Sequence, residues 1–281
     1  MDKTILFSPL ASMDTYLINN CGEIINSWNS QFRGGMTAYL DKDGNLYRGG
    51  KLNSSVFLAG GLGGVIEKFS WDGDLIWSYA LANDSLHLHH DFYVMENENL
   101  LLIAWEFIDE LKLGQLGRTG IVPGQKFYSE RIIEIDPSKD FEVVWQWRAI
   151  DHCFQGIDSN IPNYMDRKDA LRKLDINLTR SDVGPFLDWL HINSVELDSE
   201  NNTLLLSCNA IDELVVIEKT NDSQTASSDQ GGAYAYGGDL LFRWGRAANF
   251  LDENLPKMLF KQHDINIVDD NNGNFAFSVF N

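Results

Sequence analysis

The chain has 281 residues, of which 44% are hydrophobic and 22% charged, proportions of a folded globular protein that exclude a disordered chain, a collagen-like fibre or a coiled coil. Its 22 Lys and Arg against 41 Asp and Glu leave a formal charge of −19, which repels phosphate backbones and anionic lipid and argues against nucleic acid or a membrane surface as partner. The longest apolar runs, such as Leu100–Trp105, fall far short of the roughly 18 residues that a membrane helix needs.

From the N-terminus, Met1-Asp-Lys-Thr is followed by only Ile-Leu-Phe before Ser8. That apolar stretch is too short for a signal peptide. Cys21, Cys153 and Cys208 are widely spaced and form no CxxC pair, so neither a structural zinc site nor a disulfide framework is expected. Asp41-Lys-Asp-Gly-Asn45 suits a tight hairpin better than a calcium loop, since no Glu follows at the required spacing.

Three patterns recur along the chain. The first is a short segment with an acid in second place and an aromatic ring at its end: Gly22–Trp28, Gly73–Tyr79, Phe141–Trp147 and Gly238–Trp244. The second is an apolar strand, an Asp/Asn/Gly-rich turn and another strand. Its copies begin at Met36, His90, His191 and His263. The third is an apolar run ahead of the ring segment: Val65–Phe69, Arg131–Ile135 and Leu214–Glu218. Together they predict a four-stranded antiparallel blade repeated along the chain. The fold class expected is therefore all-β, a β-propeller, as a single domain over residues 1–281.

Inserted loops are expected at 154–188 and 221–237. Within the first, Tyr164–Leu174 places apolar residues at helical spacing; the second, rich in Ser, Gln, Gly and Tyr, reads as flexible. The chain starts inside a blade and stops within a strand at Phe280-Asn281, which reads as about four blades of a longer propeller.

His90, His191 and His263 each open the same strand of successive repeats. The first strand of a propeller blade lines the central channel, so the three imidazoles are expected to converge there. Repeated placement of a polar ring at one inward position calls for a purpose. Either the rings bind a transition metal, or they hold an anion with one of them acting as nucleophile.

These segments resemble the bacterial arylsulfate sulfotransferases. The likeness rests on His89-His90-Asp91-Phe92, on Asp188-Trp189-Leu190-His191-Ile192-Asn193-Ser194 and on Gln262-His263-Asp264. Trp145–His152 and Phe242-Arg-Trp-Gly245 resemble that family's blade-closing segments. The resemblance runs from about Gly22 to the C-terminus.

It implies a six-bladed propeller that moves a sulfuryl group from a phenolic sulfate ester to a phenol acceptor, independently of a nucleotide sulfate donor. His263 matches the family's nucleophile, which forms a transient sulfohistidine. His90 is then the candidate general acid and base, and His191 a further catalytic group. Asn193, His89, Trp189 and Asn209 make up the expected substrate-binding set. The family carries an Arg shortly after the second motif; here the stretch is Leu206-Ser207-Cys208-Asn209, without one.

No cofactor and no metal is expected on this reading. The partners are the small-molecule donor and acceptor, a homo-oligomer is left open, and the compartment implied is the periplasm or the exterior. The rival readings are an inactive, ligand-binding propeller and a propeller with His90, His191 and His263 as metal ligands.

Overall fold

The computed structural model describes residues 3–178, 186–251, 254–269 and 275–281. The chain is all-β, and it divides into two compact units, Met1–Phe92 and Tyr93–Asn281.

In the first unit, β1 (Thr4–Phe7), β2 (Asp14–Asn19) and β3 (Ile24–Asn29) form a three-stranded antiparallel sheet. Next come β4 (Gly34–Leu40), β5 (Leu46–Lys51), β6 (Gly64–Phe69) and β7 (Leu75–Ala80), paired in sequence order as an antiparallel meander. β8 (Leu86–Val94) meets β4 through a parallel bridge between His90 and Met36. The turn from β4 to β5 is a hairpin: Asp41 Oδ1 accepts the amides of Asp43 and Asn45 at 2.9 and 2.8 Å, the local bonding that Asp and Asn bring to tight turns. Trp28 is buried with Leu17, Leu46 and Phe69, and its indole N–H donates to the Ser70 carbonyl at 2.8 Å. Arg48 on β5 pairs with Glu67 on β6 at 3.3 Å, both fully buried. Ser30, Thr15 and the Phe32 carbonyl take up the remaining polar atoms of that pair.

The second unit contains β9 (Leu100–Ile108), β10 (Lys126–Asp136) and β11 (Glu142–Arg148), again antiparallel. Two-residue strands β12 (Cys153–Phe154) and β13 (Leu174–Asp175) pair in parallel, and β14 (Phe186–Asp188) runs parallel to β10. β15 (Ile192–Asp198), β16 (Thr203–Cys208), β17 (Glu213–Glu218) and β18 (Leu240–Gly245) form a four-stranded antiparallel sheet in chain order. β19 (His263–Asp269) and β20 (Phe275–Phe280) close the chain as a hairpin. A large core of Leu, Ile, Val and Trp, including Trp145, Trp147 and Trp189, lies in this unit, with a smaller cluster of Leu205, Leu214, Leu259 and Ile265 beside it.

The ring segments of the sequence fall on β3, β7, β11 and β18, and the third pattern falls on β6, β10 and β17.

The two inserted loops differ from expectation. Tyr164–Leu174 forms turns rather than a helix: the Met165 amide bonds the Gln155 carbonyl at 3.1 Å, and the amides of Asp169, Ala170 and Lys173 each bond three residues back as separate turns. The 221–237 stretch is pinned. Glu218 accepts the amides of Ala233 and Tyr234 at 2.7 and 3.0 Å, and Arg172 lies 3.7 Å from the Tyr236 ring centroid. His152 anchors the same loop: Nδ1 meets Asp239 at 2.7 Å, Nε2 meets the Ala226 carbonyl at 2.8 Å, and the ring stacks on Trp147.

Candidate active site

His90 and His191 share a backbone feature that the sequence does not announce. Their φ angles are +55° and +51°, in the left-handed region that non-glycine residues rarely enter. In the third copy the left-handed residue is Asp264, at +57°, immediately after His263. The third histidine therefore differs from the other two in local conformation, although its motif aligns with theirs.

Around His90, the strain is met by a bond from its amide to the Gly61 carbonyl at 2.8 Å. Gly61 itself has φ +80°, and a Cβ there would lie 2.1 Å from the His90 ring, so only glycine lets this loop close over the imidazole. His90 Nδ1 is 2.8 Å from Nδ1 of His89, with the rings edge to face. His89 is fully buried, so it contacts His90 from within the protein rather than from a ligand-facing surface. Asp91 accepts from the Tyr39 hydroxyl at 2.8 Å, the between-strand acceptor role its position suggests. His87 is buried with Nε2 3.2 Å from the Gly63 carbonyl, and its pKa is lowered by that burial.

His191 sits at the end of β14's extension, where Asp188 Oδ2 takes a short hydrogen bond from His191 Nδ1 and Asp188 Oδ1 accepts from the Trp105 indole at 3.1 Å. Beneath them Glu130 of β10 is fully buried. Its Oε1 accepts the Ile192 amide at 3.1 Å, and the carboxyl also accepts from the His191 amide. Burial, and then the charge of Asp188, push the Glu130 carboxyl well above the usual carboxylate range. Trp189 is buried against Phe127, with its indole N–H on the Asp175 carbonyl at 3.3 Å. It is a core aromatic here, closed to an aryl ligand.

His263 is exposed, and its Nδ1 is 3.0 Å from the Lys261 carbonyl. The residue between them, Gln262, is fully buried, and its backbone carbonyl collects three side chains. Asn193 Nδ2 donates to it at 2.7 Å, Asn209 Nδ2 at 3.2 Å and Ser207 Oγ at 3.4 Å. Asn193 and Asn209, expected to contact substrate, are thus spent in part on fixing the backbone next to His263. The Asn209 amide braces this carbonyl. Ser194 Oγ also accepts the Ile265 amide at 2.9 Å, tying β15 to β19.

The three candidate histidines each use Nδ1 in these bonds, but with partners of different chemistry. A carbonyl carries no proton, so His263 Nδ1 is the donor and the lone pair of the neutral ring lies on Nε2. A carboxylate at Nδ1, as at His191, also fixes Nδ1–H. An imidazole at Nδ1, as at His90, can either donate or accept, which suits a group that must do both in turn.

Two members of this arrangement were not singled out in the sequence: Glu130, and Gln262 as a backbone acceptor. Glu130 is one of three acids in Phe127–Asp136 and carries no distinguishing signal, and the Gln262 carbonyl leaves none either. Among the described residues, no three His, Cys, Asp or Glu side chains are grouped so as to hold a metal ion. No helix among them is long and apolar enough to cross a membrane.

The family model described as "Arylsulfotransferase (ASST)" matches residues 14–281. No curated protein matches the chain. Among solved structures, it is similar to the crystal structure of a protein of unknown function from Bacteroides caccae, at 11% identity and a TM-score of 0.43, over 87% of this chain and 58% of that one. The chain thus spans less than two thirds of the length of that structure.

Proposed function

The chain belongs to the arylsulfotransferase family, and on that premise we propose that it transfers a sulfuryl group from an aryl sulfate ester to a phenol, through a sulfohistidine at His263, on a β-propeller in the periplasm or outside the cell. Sulfuryl transfer resembles phosphoryl transfer, with an in-line, loose transition state whose charge resides on the outer oxygens. It needs a nucleophile with a lone pair at neutral pH, donors for those oxygens and a proton for the departing phenolate.

The observation that carries this reading is the bond from His263 Nδ1 to the Lys261 carbonyl. It directs the lone pair to Nε2 of an exposed ring whose neighbouring backbone is clamped by Asn193, Ser207 and Asn209. Nε2 attacks sulfur as the S–O bond to the aryl group breaks, and the phenolate leaves with a proton. The acceptor phenol then attacks the same sulfur, loses its proton and releases Nε2. We assign the proton transfers to His90, and we read His191, with Asp188 at Nδ1, as a donor to sulfuryl oxygen from Nε2–H when the ring carries a proton on both nitrogens. The sulfuryl donor is an anion and the protein carries −19, so recognition falls to such close donors rather than to long-range attraction.

The test is incubation of the protein with a chromogenic aryl sulfate, with and without a second phenol, together with a ³⁵S-labelled donor. Phenol release dependent on His263, and an acid-labile label that His263→Ala does not acquire, are the expected results. Donor binding without release or label would overturn the catalytic reading in favour of a ligand-binding protein.

A further inference from the structure

We propose that Glu130 is a positioning residue for His191, acting through Asp188 and through the amides of residues 191 and 192. The inference rests on the reading of His191 as an oxyanion donor in sulfuryl transfer, and it concerns how that ring is set.

The geometry has two parts. First, a left-handed histidine leaves its own amide and the next one pointing away from any strand partner, and buried amides need acceptors. Glu130 supplies them, receiving the His191 and Ile192 N–H groups from β10, 62 residues away in sequence. Second, the same buried carboxyl lies beside Asp188, whose two oxygens are already engaged by the Trp105 indole and by His191 Nδ1. Burial disfavours the charged form of Glu130, and the charge of Asp188 acts in the same direction.

The groups that face Glu130 are consistent with a proton staying on it: Asp188 after β14, His191 beyond it, and the Cys208 thiol of β16, itself held protonated by burial. A neutral Glu130 leaves the negative charge on Asp188, where it fixes His191 Nδ1–H and presents Nε2 to the sulfuryl group. Glu130 touches neither substrate nor the reacting atoms, so its effect is on the tautomer and placement of another ring.

The experiment is ¹⁵N-histidine NMR of the full chain, which reads the tautomer of each imidazole, alongside kcat and KM with a chromogenic aryl sulfate. The variants are Glu130→Gln, Glu130→Leu and His191→Gln, the last assigning the signal. At a pH where the ring is neutral, wild type should show a single Nδ1–H tautomer at His191, the state from which a second proton at Nε2 makes the ring a donor. Glu130→Leu removes both acceptor and hydrogen bond, and should replace that signal by a tautomer mixture and lower kcat about 10²-fold with KM little changed, as small displacements of a catalytic group do. Glu130→Gln retains a neutral acceptor of the same length. It should restore the single tautomer and most of the kcat lost in the leucine variant.

A tautomer unchanged in a folded Glu130→Leu variant would overturn the proposal. So would a glutamine variant that behaves as leucine does while its far-UV spectrum and melting temperature match wild type. Because the tautomer is read without turnover, absence of sulfuryl transfer in wild type would sink the proposed function and leave this measurement standing.

Discussion

Two fully buried glutamates of the second unit show what a neighbour decides. Glu213, at the start of β17, is gripped by Arg243 through two hydrogen bonds of 2.8 and 2.9 Å and by Asn249 at 2.6 Å. Glu130, inside β10, has another acid beside it and two backbone amides on it. In both, burial raises the carboxyl pKa above its ordinary value; at Glu213 the guanidinium of Arg243 and the amide of Asn249 pull it back, whereas at Glu130 the charge of Asp188 pushes further the same way. A buried acid paired with arginine is a fastening whose charge is spent internally. A buried acid paired with an acid, one bond away from a histidine, is a place where a proton can be stored and a ring oriented. Arg48 and Glu67 repeat the fastening in the first unit.

That contrast can be broken in three ways. The largest effect is expected at Asp188. Asp188→Asn keeps the size of the side chain but offers His191 Nδ1 the wrong partner, and kcat should fall by about 10²–10⁴-fold with the protein still folded, as for other orienting carboxylates. Stopped assays with an aryl sulfate donor check this, and a drop under threefold would place His191 outside the chemistry.

Next is the fastening. Arg243→Met strands the Glu213 carboxylate in the interior and should cost about 3–5 kcal/mol of stability, read by chemical denaturation. In whatever fraction remains folded at low temperature, the His191 tautomer should be intact.

The smallest effect is a pH dependence. Glu130 binds its proton more tightly folded than unfolded, so its contribution is fully present below the unfolded value near 4.5 and is lost as pH rises through the higher folded value. Relative to Glu130→Gln, wild type should therefore lose up to about 1.4 kcal/mol of stability per pH unit within that window. Parallel stability curves for the two proteins from pH 4.5 upward would show that Glu130 titrates normally.

The strands were legible because an aromatic, an acid and a turn residue recur at fixed places; Gly238–Trp244 delivers the edge strand of a four-stranded sheet and Gly73–Tyr79 the last strand of the meander from β4 to β7. The histidine motifs were legible for the same reason, as was the family they belong to. Orientation was not. Nothing in Trp189-Leu190-His191 says that the tryptophan turns into the core while the histidine turns to Asp188, since His191 itself is left-handed and breaks the alternation on which side-chain facing is read. The apolar spacing of Tyr164–Leu174 suggested a helix because periodicity does not register that the amides of Asp169, Ala170 and Lys173 each bond only three residues back, as separate turns.

The loop that closes over His90 gives a handle of another kind. Because Gly61 presses bare backbone against that imidazole, Gly61→Ala would put a methyl group where the ring now lies. The substitution would evict the histidine from its seat while leaving every atom of it in the protein. Comparing that evicted ring with a deleted one would separate what the imidazole does from where it stands.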